Sequence, residues 1–365
     1  MQTIDVALEP HPYAIHVGHG VLSRLGELCR AAGLGPQVAL ITDHTVAGLH
    51  LAPAAASLRQ AGFELIEVRF AGTDAAKNLR TAEEIFGQLI QAGLDRRAWV
   101  LALGGGVVGD LAGFVAATFL RGIPFVQAPT TIVSQVDASI GGKTGVNHPL
   151  GKNLIGAFHQ PCLVCIDTAL LRTLPRRELA AGLAEVVKHA LIRDAALFAF
   201  LEQNIERAVG LELEDDQLDW LIAANARIKA EVVAADEKES GLRAILNYGH
   251  TIGHAIESAS QYGYLHGEAV ILGMIGAGEI AAQRGLWPAA ERERQDQLLA
   301  RLGIPPGLSR LSADLVLERT RADKKRLEGR HRFVLARGIG QVEITDGISD
   351  AEVRAAVEYI QRRHP

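Results

Sequence analysis

"AWVLALGGGVVGD" (residues 98–110) decides the fold. A β-type apolar run leads into Gly104, Gly106 and Gly109 in GxGxxG spacing, and a helical run, 107–118, follows at once. Strand, glycine turn and helix in that order make the first half of a parallel βαβ unit. There the backbone approaches a pyrophosphate closely and the helix N-terminus favours its charge. The same glycines would also serve a tight strand-to-helix turn with no ligand. Outward from this stretch, β-rich runs at 37–43, 63–70, 124–131 and 162–167 alternate with amphipathic stretches such as 80–92, which argues for a parallel sheet with helices on its faces. The opening pair, 3–8 and 13–17, reads as a hairpin. The ribose-binding acid expected about 20 residues past the motif is missing, because 119–136 contains no Asp or Glu. Asp43, ending an upstream strand, is placed to do that job, in a nucleotide fold unlike the standard Rossmann unit.

The chain has 365 residues, 48% hydrophobic and 22% charged, which suggests two domains of ordinary composition. Net charge is −5 with 5% aromatics and no long basic run, so nucleic acid is not an expected partner. No apolar segment is long enough to cross a bilayer, and the N-terminus lacks a basic stretch followed by an apolar run, so a cytoplasmic enzyme is expected. Three cysteines make no disulfide framework. Cys162 and Cys165 form a CxxC, but in "PCLVCID" they read as part of an apolar strand.

"PTTIVSQVDASIGGKTGVNHPLGKNLIGAF" (129–158) is dense in chemistry: Thr130, Thr131, Asp137, Gly141, Gly142, Lys143, Lys152 and Asn153. Lysines among glycines suggest a loop that receives an anion. From 174 onward the pattern is helical, with strands returning only near 331–345. Glu185 and Lys188 share a face of an apolar segment, where a carboxylate needs a cation or a metal as partner. "NYGHTIGHAIES" (247–258) sets His250 and His254 four apart, and Asn247 and Arg243 continue that stripe; alternatively Gly249 delays the helix start to His250. "YLHGEAV" adds His266 before another apolar helix. Glu185, His250 and His266 together would give zinc two nitrogens and an oxygen with a position left open, as in catalytic sites. HExxH is absent, since Thr251 follows His250. Asp323, Lys324 and Lys325 form a charged run before the last strands.

Five blocks carry a resemblance: "GGGVVGDLAGFVAATFLRGI", "QVDASIGGKTGVNHPLGKNLIGAF", "LPRRELAAGLAEVVKHALI", "RAILNYGHTIGHAIE" and "LHGEAV". In order and spacing they resemble the 3-dehydroquinate synthase family over essentially the whole chain. The resemblance implies an α/β N-terminal nucleotide-binding domain, residues 1–178, and a mainly α-helical C-terminal domain for metal and substrate, residues 179–365. It implies NAD, a divalent metal (zinc or cobalt) and a homodimer. Metal would be held by Glu185, His250 and His266, with His254 a neighbour that hydrogen-bonds substrate. NAD would lie against Asp43, the Gly72, Asp74 and Lys77 loop, Gly105, Gly106, Gly109, Asp110, Thr130, Thr131, Lys143, Lys152 and Thr173. Gly72-Thr73-Asp74 departs from the family's usual Gly-Glu, which changes the adenosine side.

The substrate implied is 3-deoxy-D-arabino-heptulosonate 7-phosphate. Lys152, Asn153, Arg243, Asn247 and Lys324 or Lys325 would hold its phosphate, with Arg121 reaching in from a second subunit. Lys188 and Lys229 would serve its carboxylate and ring hydroxyls, and Asp137 and Lys143 would flank the nicotinamide. The implied sequence is transient oxidation by NAD, phosphate loss, reduction, ring opening and intramolecular aldol closure. Other sugar-phosphate cyclases, of the 2-deoxy-scyllo-inosose and valiolone synthase types, are the nearest alternatives. A metal-dependent polyol dehydrogenase and an inactive nucleotide-binding scaffold are the more distant ones.

Overall fold

The computed structural model describes the chain except residues 262, 305–307, 309–310, 327–331 and 365, with backbone alone for 322–326. It forms two compact units, Met1–Leu174 with Glu214–Lys238, and Pro175–Leu213 with Glu239–Pro365.

The first unit is built on a seven-stranded sheet. Its strands are β1 (Gln2–Val6), β2 (Tyr13–Gly18), β3 (Gln37–Asp43), β4 (Glu64–Phe70), β5 (Trp99–Gly104), β6 (Phe125–Pro129) and, after a separate hairpin of β7 (Lys143–His148) and β8 (Gly151–Phe158), β9 (Leu163–Asp167). The order is β1-β2-β9-β6-β5-β3-β4, parallel throughout except for the antiparallel β1–β2 pair. That pair is the expected opening hairpin. Residues of period two face opposite layers. Val38, Leu40, Trp99 and Leu101 pack with Leu25, Leu28 and Leu58 on one side. Ala39, Ile41, Val100 and Ala102 pack with Ile85, Leu89, Leu111 and Val115 on the other. The chain leaves β3 for β4 on one side and returns to β5 on the other, so the carboxyl ends of β3 and β5 form the switch point at which such sheets bind ligands. The helix Asp215–Ala235 packs against β1, β2 and the turn Ser134–Ala138 in this unit.

The glycine-rich stretch 129–158, expected as a loop, is a short π-type turn, Ser134–Ala138, followed by the β7–β8 hairpin. Gly145, Gly151 and Gly156 dilute the strand signal there, and what makes the strands is packing on the helix Gly106–Thr118. Cys165 is buried in β9, as its apolar context suggested, and Cys162 is exposed.

The second unit is helical, with the hairpin β10 (Arg332–Gly338) and β11 (Gln341–Asp346). At its centre is the helix His266–Gln283, buried without a break from Gly267 to Ala281, which explains an apolar sequence with no polar face. The helices Arg176–Arg193, His250–Ala259 and Asp350–Arg363 pack around it. Among the described residues, no helix is long and apolar enough to cross a membrane.

Candidate functional site

In the second unit three helices bring Glu185, His250 and His266 together. Glu185 lies within the helix Arg176–Arg193, while His250 and His266 are the first residues of theirs. The helices reach backbone contact because glycines line their seams. A Cβ on Gly273 would fall 1.8 Å from the Gly249 carbonyl oxygen, and one on Gly267 1.8 Å from that of Ala181. The helix carrying His266 is fixed at its start by Glu268, which accepts from the Leu265 amide (2.8 Å) and from Arg177 in two bonds of 2.7 and 2.9 Å.

The Glu185 carboxylate is 1% exposed, and its Oε1 lies 3.5 Å from His250 Nε2 and 3.4 Å from His266 Nε2. Those separations are too long for good hydrogen bonds. They fit donor atoms around a tetrahedral zinc ion, where bonds of about 2.0–2.1 Å set neighbouring donors about 3.3–3.4 Å apart. Each histidine is also held from behind. His250 Nδ1 lies 3.1 Å from the Tyr248 carbonyl, to which it donates, leaving the Nε2 lone pair for a metal. His266 Nδ1 lies 3.3 Å from Glu257 Oε2. Burial lowers the His250 pKa to about 3, against the pull of Glu185, so its ring is neutral and able to ligate. Burial would lower His266 too, but the Glu185 and Glu257 carboxylates beside it win and raise it to about 9. The two carboxylates thus favour a positive charge at this point, and a metal would displace a proton to take it.

His254, exposed, stands edge-on to His250 with ring centroids 5.2 Å apart, and one nitrogen of each of His250, His254 and His266 lies within 4.8 Å of the others. Lys188 Nζ lies 2.5 Å from Glu185 Oε2, and both side chains are 1% exposed, so this ion pair is buried rather than on an exposed helix. The expected single stripe through Arg243, Asn247, His250 and His254 is broken. Gly249, at φ 78, separates a 3-10 turn, Leu242–Asn247, from a helix that starts at His250. Arg243 is buried there, and exposed Asn247 donates to Glu239 (3.1 Å). The side chains of Lys324 and Lys325 lie outside the described residues.

In the first unit the expected nucleotide residues gather at the carboxyl ends of the strands. Asp43 closes β3, and its Oδ1 accepts from the Thr45 and Val46 amides (2.8 and 2.9 Å). A Cβ on Gly72 would strike the Asp43 side chain at 2.7 Å, so glycine is required beside it. Gly105 caps the helix Gly106–Thr118. Gly104 and Gly109 serve packing, since a Cβ would meet Val108 at 2.5 Å and Gln127 at 2.9 Å; Gly106 is open, meeting only Ala138 at 3.6 Å. The helix N-terminus at Gly106 is therefore the accessible cradle. Thr130 is buried behind it, and Thr131 bonds Ser134 (2.8 Å).

Lys77 is buried and donates to Asp110 (2.7 Å) and Asn153 (2.6 Å). Burial pushes the Asp110 carboxyl up, against the Lys77 ammonium. Lys152 pairs with Asp74 at 2.9 Å; burial would raise that carboxyl, but Lys152 and Asn147 outweigh it and hold it below the usual range. Lys229 is paired with Asp137. Lys143 is exposed, as are Thr173 and Arg121.

Several residues escaped the sequence reading. Glu257 is seven past His250, a spacing that returns to the same helix face and was available as a signal. His50, buried, contacts Thr173 Oγ1 through Nε2 at 2.9 Å. Asn147 ties the 72–77 loop to the hairpin: its amide donates to the Lys77 carbonyl (2.8 Å), its Nδ2 to Asp74, and its Oδ1 accepts from the Asn153 amide (3.0 Å). Nothing local marks these last two.

Comparison with known proteins then gives the following. Residues 67–181 match the family model described as 3-dehydroquinate synthase N-terminal, and 182–326 the model of its C-terminal part. The chain is 48% identical over 361 residues to a 3-dehydroquinate synthase of Synechococcus sp. (strain CC9605), covering 98% of this chain and 97% of that one. Among solved structures it is similar to 2-epi-5-epi-valiolone synthase from Streptomyces hygroscopicus subsp. jinggangensis 5008 with NAD+ and Zn2+ bound. That match has TM-score 0.89 and 31% identity, and covers 98% of this chain and 99% of the other. It is also similar to a 2-deoxy-scyllo-inosose synthase complexed with carbaglucose-6-phosphate, NAD+ and Co2+, with TM-score 0.88, 28% identity, and 98% and 99% covered.

Proposed function

The chain belongs to the 3-dehydroquinate synthase family, and we propose that it converts 3-deoxy-D-arabino-heptulosonate 7-phosphate to 3-dehydroquinate and phosphate, with Glu185, His250 and His266 as its metal ligands. The single observation that carries the ligand assignment is the Glu185 Oε1 atom, buried and 3.4–3.5 Å from two imidazole nitrogens. The cyclases resolved with zinc or cobalt and NAD+ at 31% and 28% identity support the cofactors; the 48% identity to a dehydroquinate synthase supports this substrate over theirs.

When bound, the metal supplies Lewis acidity to a substrate hydroxyl and NAD supplies reversible hydride acceptance, so the reaction is a phosphate elimination with no net redox change. The chain's own residues bind and orient. Asp43 receives the adenosine ribose and the Gly106 helix end the pyrophosphate, while Lys77 keeps Asp110 and Asn153 in place through its two short bonds. By the family resemblance Lys152, Asn153, Arg243 and Asn247 would bind the doubly anionic phosphate, and Lys188 and Lys229 the carboxylate and ring hydroxyls. His254, exposed beside His250, hydrogen-bonds substrate. Lys143 and Asp137 serve the nicotinamide side.

The enzyme works as a cytoplasmic homodimer on this reading. Leu150, Leu154 and Phe158 of the β7–β8 hairpin are 81%, 56% and 49% exposed, apolar surface that a second copy would cover. Arg121, exposed next to Leu120 in a turn with φ of 69 and 49, would reach the partner's substrate. His250→Ala tests the ligand assignment: it should lose both bound metal and turnover while retaining NAD binding. A metal-replete, fully active His250→Ala protein would sink it.

A further inference from the structure

His250 is held by a backbone carbonyl, and what holds that carbonyl in turn is a side chain far away in sequence. Tyr248 lies between the 3-10 turn Leu242–Asn247 and the left-handed Gly249, with φ −55 and ψ 125, outside both helices. Its amide closes the 3-10 turn by donating to the Ile245 carbonyl at 3.2 Å, and the turn goes no further. Two further features fix it. The first is Gly249, whose missing Cβ would meet Met274 Cγ at 2.6 Å and Met274 N at 2.8 Å, so this point of the chain lies directly on the helix His266–Gln283. The second is the Tyr248 ring, 0% exposed, whose hydroxyl donates to Gln295 Oε1 at 2.6 Å.

Gln295 is itself 0% exposed, on the helix Ala289–Ala300. Its Nε2 donates to the Met274 carbonyl and to Asp296 Oδ1, both at 3.2 Å. Two acceptors at one end of the amide determine which end faces Tyr248, so Oε1 must receive the phenol. The same side chain therefore ties Tyr248 to the residue against which Gly249 rests.

We infer that Gln295, acting through the Tyr248 hydroxyl, is a positioning residue for the metal site: it sets the Tyr248 carbonyl beneath His250 Nδ1 and so aims His250 Nε2 at the metal. This inference rests on the reading of Glu185, His250 and His266 as ligands. The physical basis is that groups behind a metal-bound imidazole fix its orientation and tautomer, and their loss weakens metal binding by about 10–100-fold.

The test compares Tyr248→Phe, Gln295→Leu and the double variant with wild type and His250→Ala. The readouts are zinc affinity by chelator competition, the absorption spectrum of the cobalt-substituted protein, and urea unfolding of the metal-free protein. Tyr248→Phe strands the Gln295 oxygen, and Gln295→Leu strands the Tyr248 hydroxyl and also withdraws a donor from the Met274 carbonyl and Asp296, so each single variant should lose stability; the double variant leaves no stranded hydroxyl and should recover part of that loss. All three should bind zinc roughly tenfold more weakly, with a changed cobalt spectrum. A merely structural role would give stability losses with zinc affinity and cobalt spectrum unchanged, and the double variant makes that outcome readable even if a single variant fails to fold. Wild-type zinc affinity in His250→Ala would overturn the ligand reading and this inference together. Loss in His250→Ala with none in the three variants would overturn the inference alone.

Discussion

Replacing Lys188 by Met tests how the buried carboxylate at the centre of the site is compensated. Glu185 and Lys188 are each 1% exposed and 2.5 Å apart. Removing one partner of a buried ion pair costs about 3–5 kcal/mol, because the other charge is left in a poor solvent. Met is close to the lysine stem in volume, so little cavity cost is added. In metal-free protein Lys188→Met should therefore lose about 3–5 kcal/mol. A zinc ion on Glu185 replaces part of the lost positive charge, so the zinc-loaded variant should be destabilised by roughly 2 kcal/mol less. By linkage, that difference makes zinc bind the variant about 30-fold more tightly than wild type, even though a group proposed to serve the substrate has been removed. Urea unfolding of chelated and zinc-loaded protein, read by circular dichroism and tryptophan fluorescence, gives the two stabilities, and a chelator competition gives the affinity directly. Equal destabilisation with and without zinc, at unchanged affinity, would refute the idea that Glu185 is a ligand.

Glu257→Gln should weaken zinc binding about 10–100-fold through His266 and leave NAD affinity unchanged, as paired titrations would reveal. Asp43→Ala should lose about 1 kcal/mol of stability with its two cap bonds and weaken NAD binding by roughly tenfold or more, the worth of a charged hydrogen bond; unaltered NAD affinity by titration calorimetry would remove Asp43 from the site. Glu352 bonds Arg284 (2.5 Å) and Ser349 (2.6 Å), and those bonds, led by Arg284 and opposed by burial, lower its pKa to about 2. Since the folded value is the depressed one, its stabilisation is fully present above the unfolded value near 4.5 and is lost as pH falls through about 2. Glu352→Gln should accordingly lower the unfolding free energy at pH 7, by about 1 kcal/mol after solvent screening of this partly exposed pair, with the gap to wild type closing towards pH 2.

The α/β half was legible because its signals are local. Alternating apolar runs, a glycine turn at 104–109 and a terminal Asp43 each say in a few residues what the backbone does there. That Glu185, His250 and His266 come together was legible for a related reason: Glu185 and His250 are polar groups on stretches too apolar to bury them unpartnered. What stayed hidden is the pairing between distant segments. Gln295 meets Tyr248 across 47 positions, and Lys77 meets Asn153 across 76; no spacing rule connects them. The β7–β8 strands were obscured by their glycines, whose close approach to one another is a packing property rather than a propensity. Gly249 sat in plain view, but either a continuous helix or a start at His250 suited the polar spacing, and its contact with Met274 decides between them.

The most direct measurement of the central claim is single-enzyme stoichiometry. Purified, metal-loaded protein is given the heptulosonate phosphate and a catalytic amount of NAD, while phosphate, dehydroquinate and the absorbance of reduced NAD are followed together. The account predicts phosphate and dehydroquinate in equal amounts, with no accumulation of reduced NAD. Reduced NAD building up with turnover, or no phosphate released by protein that still binds zinc and NAD, would contradict it.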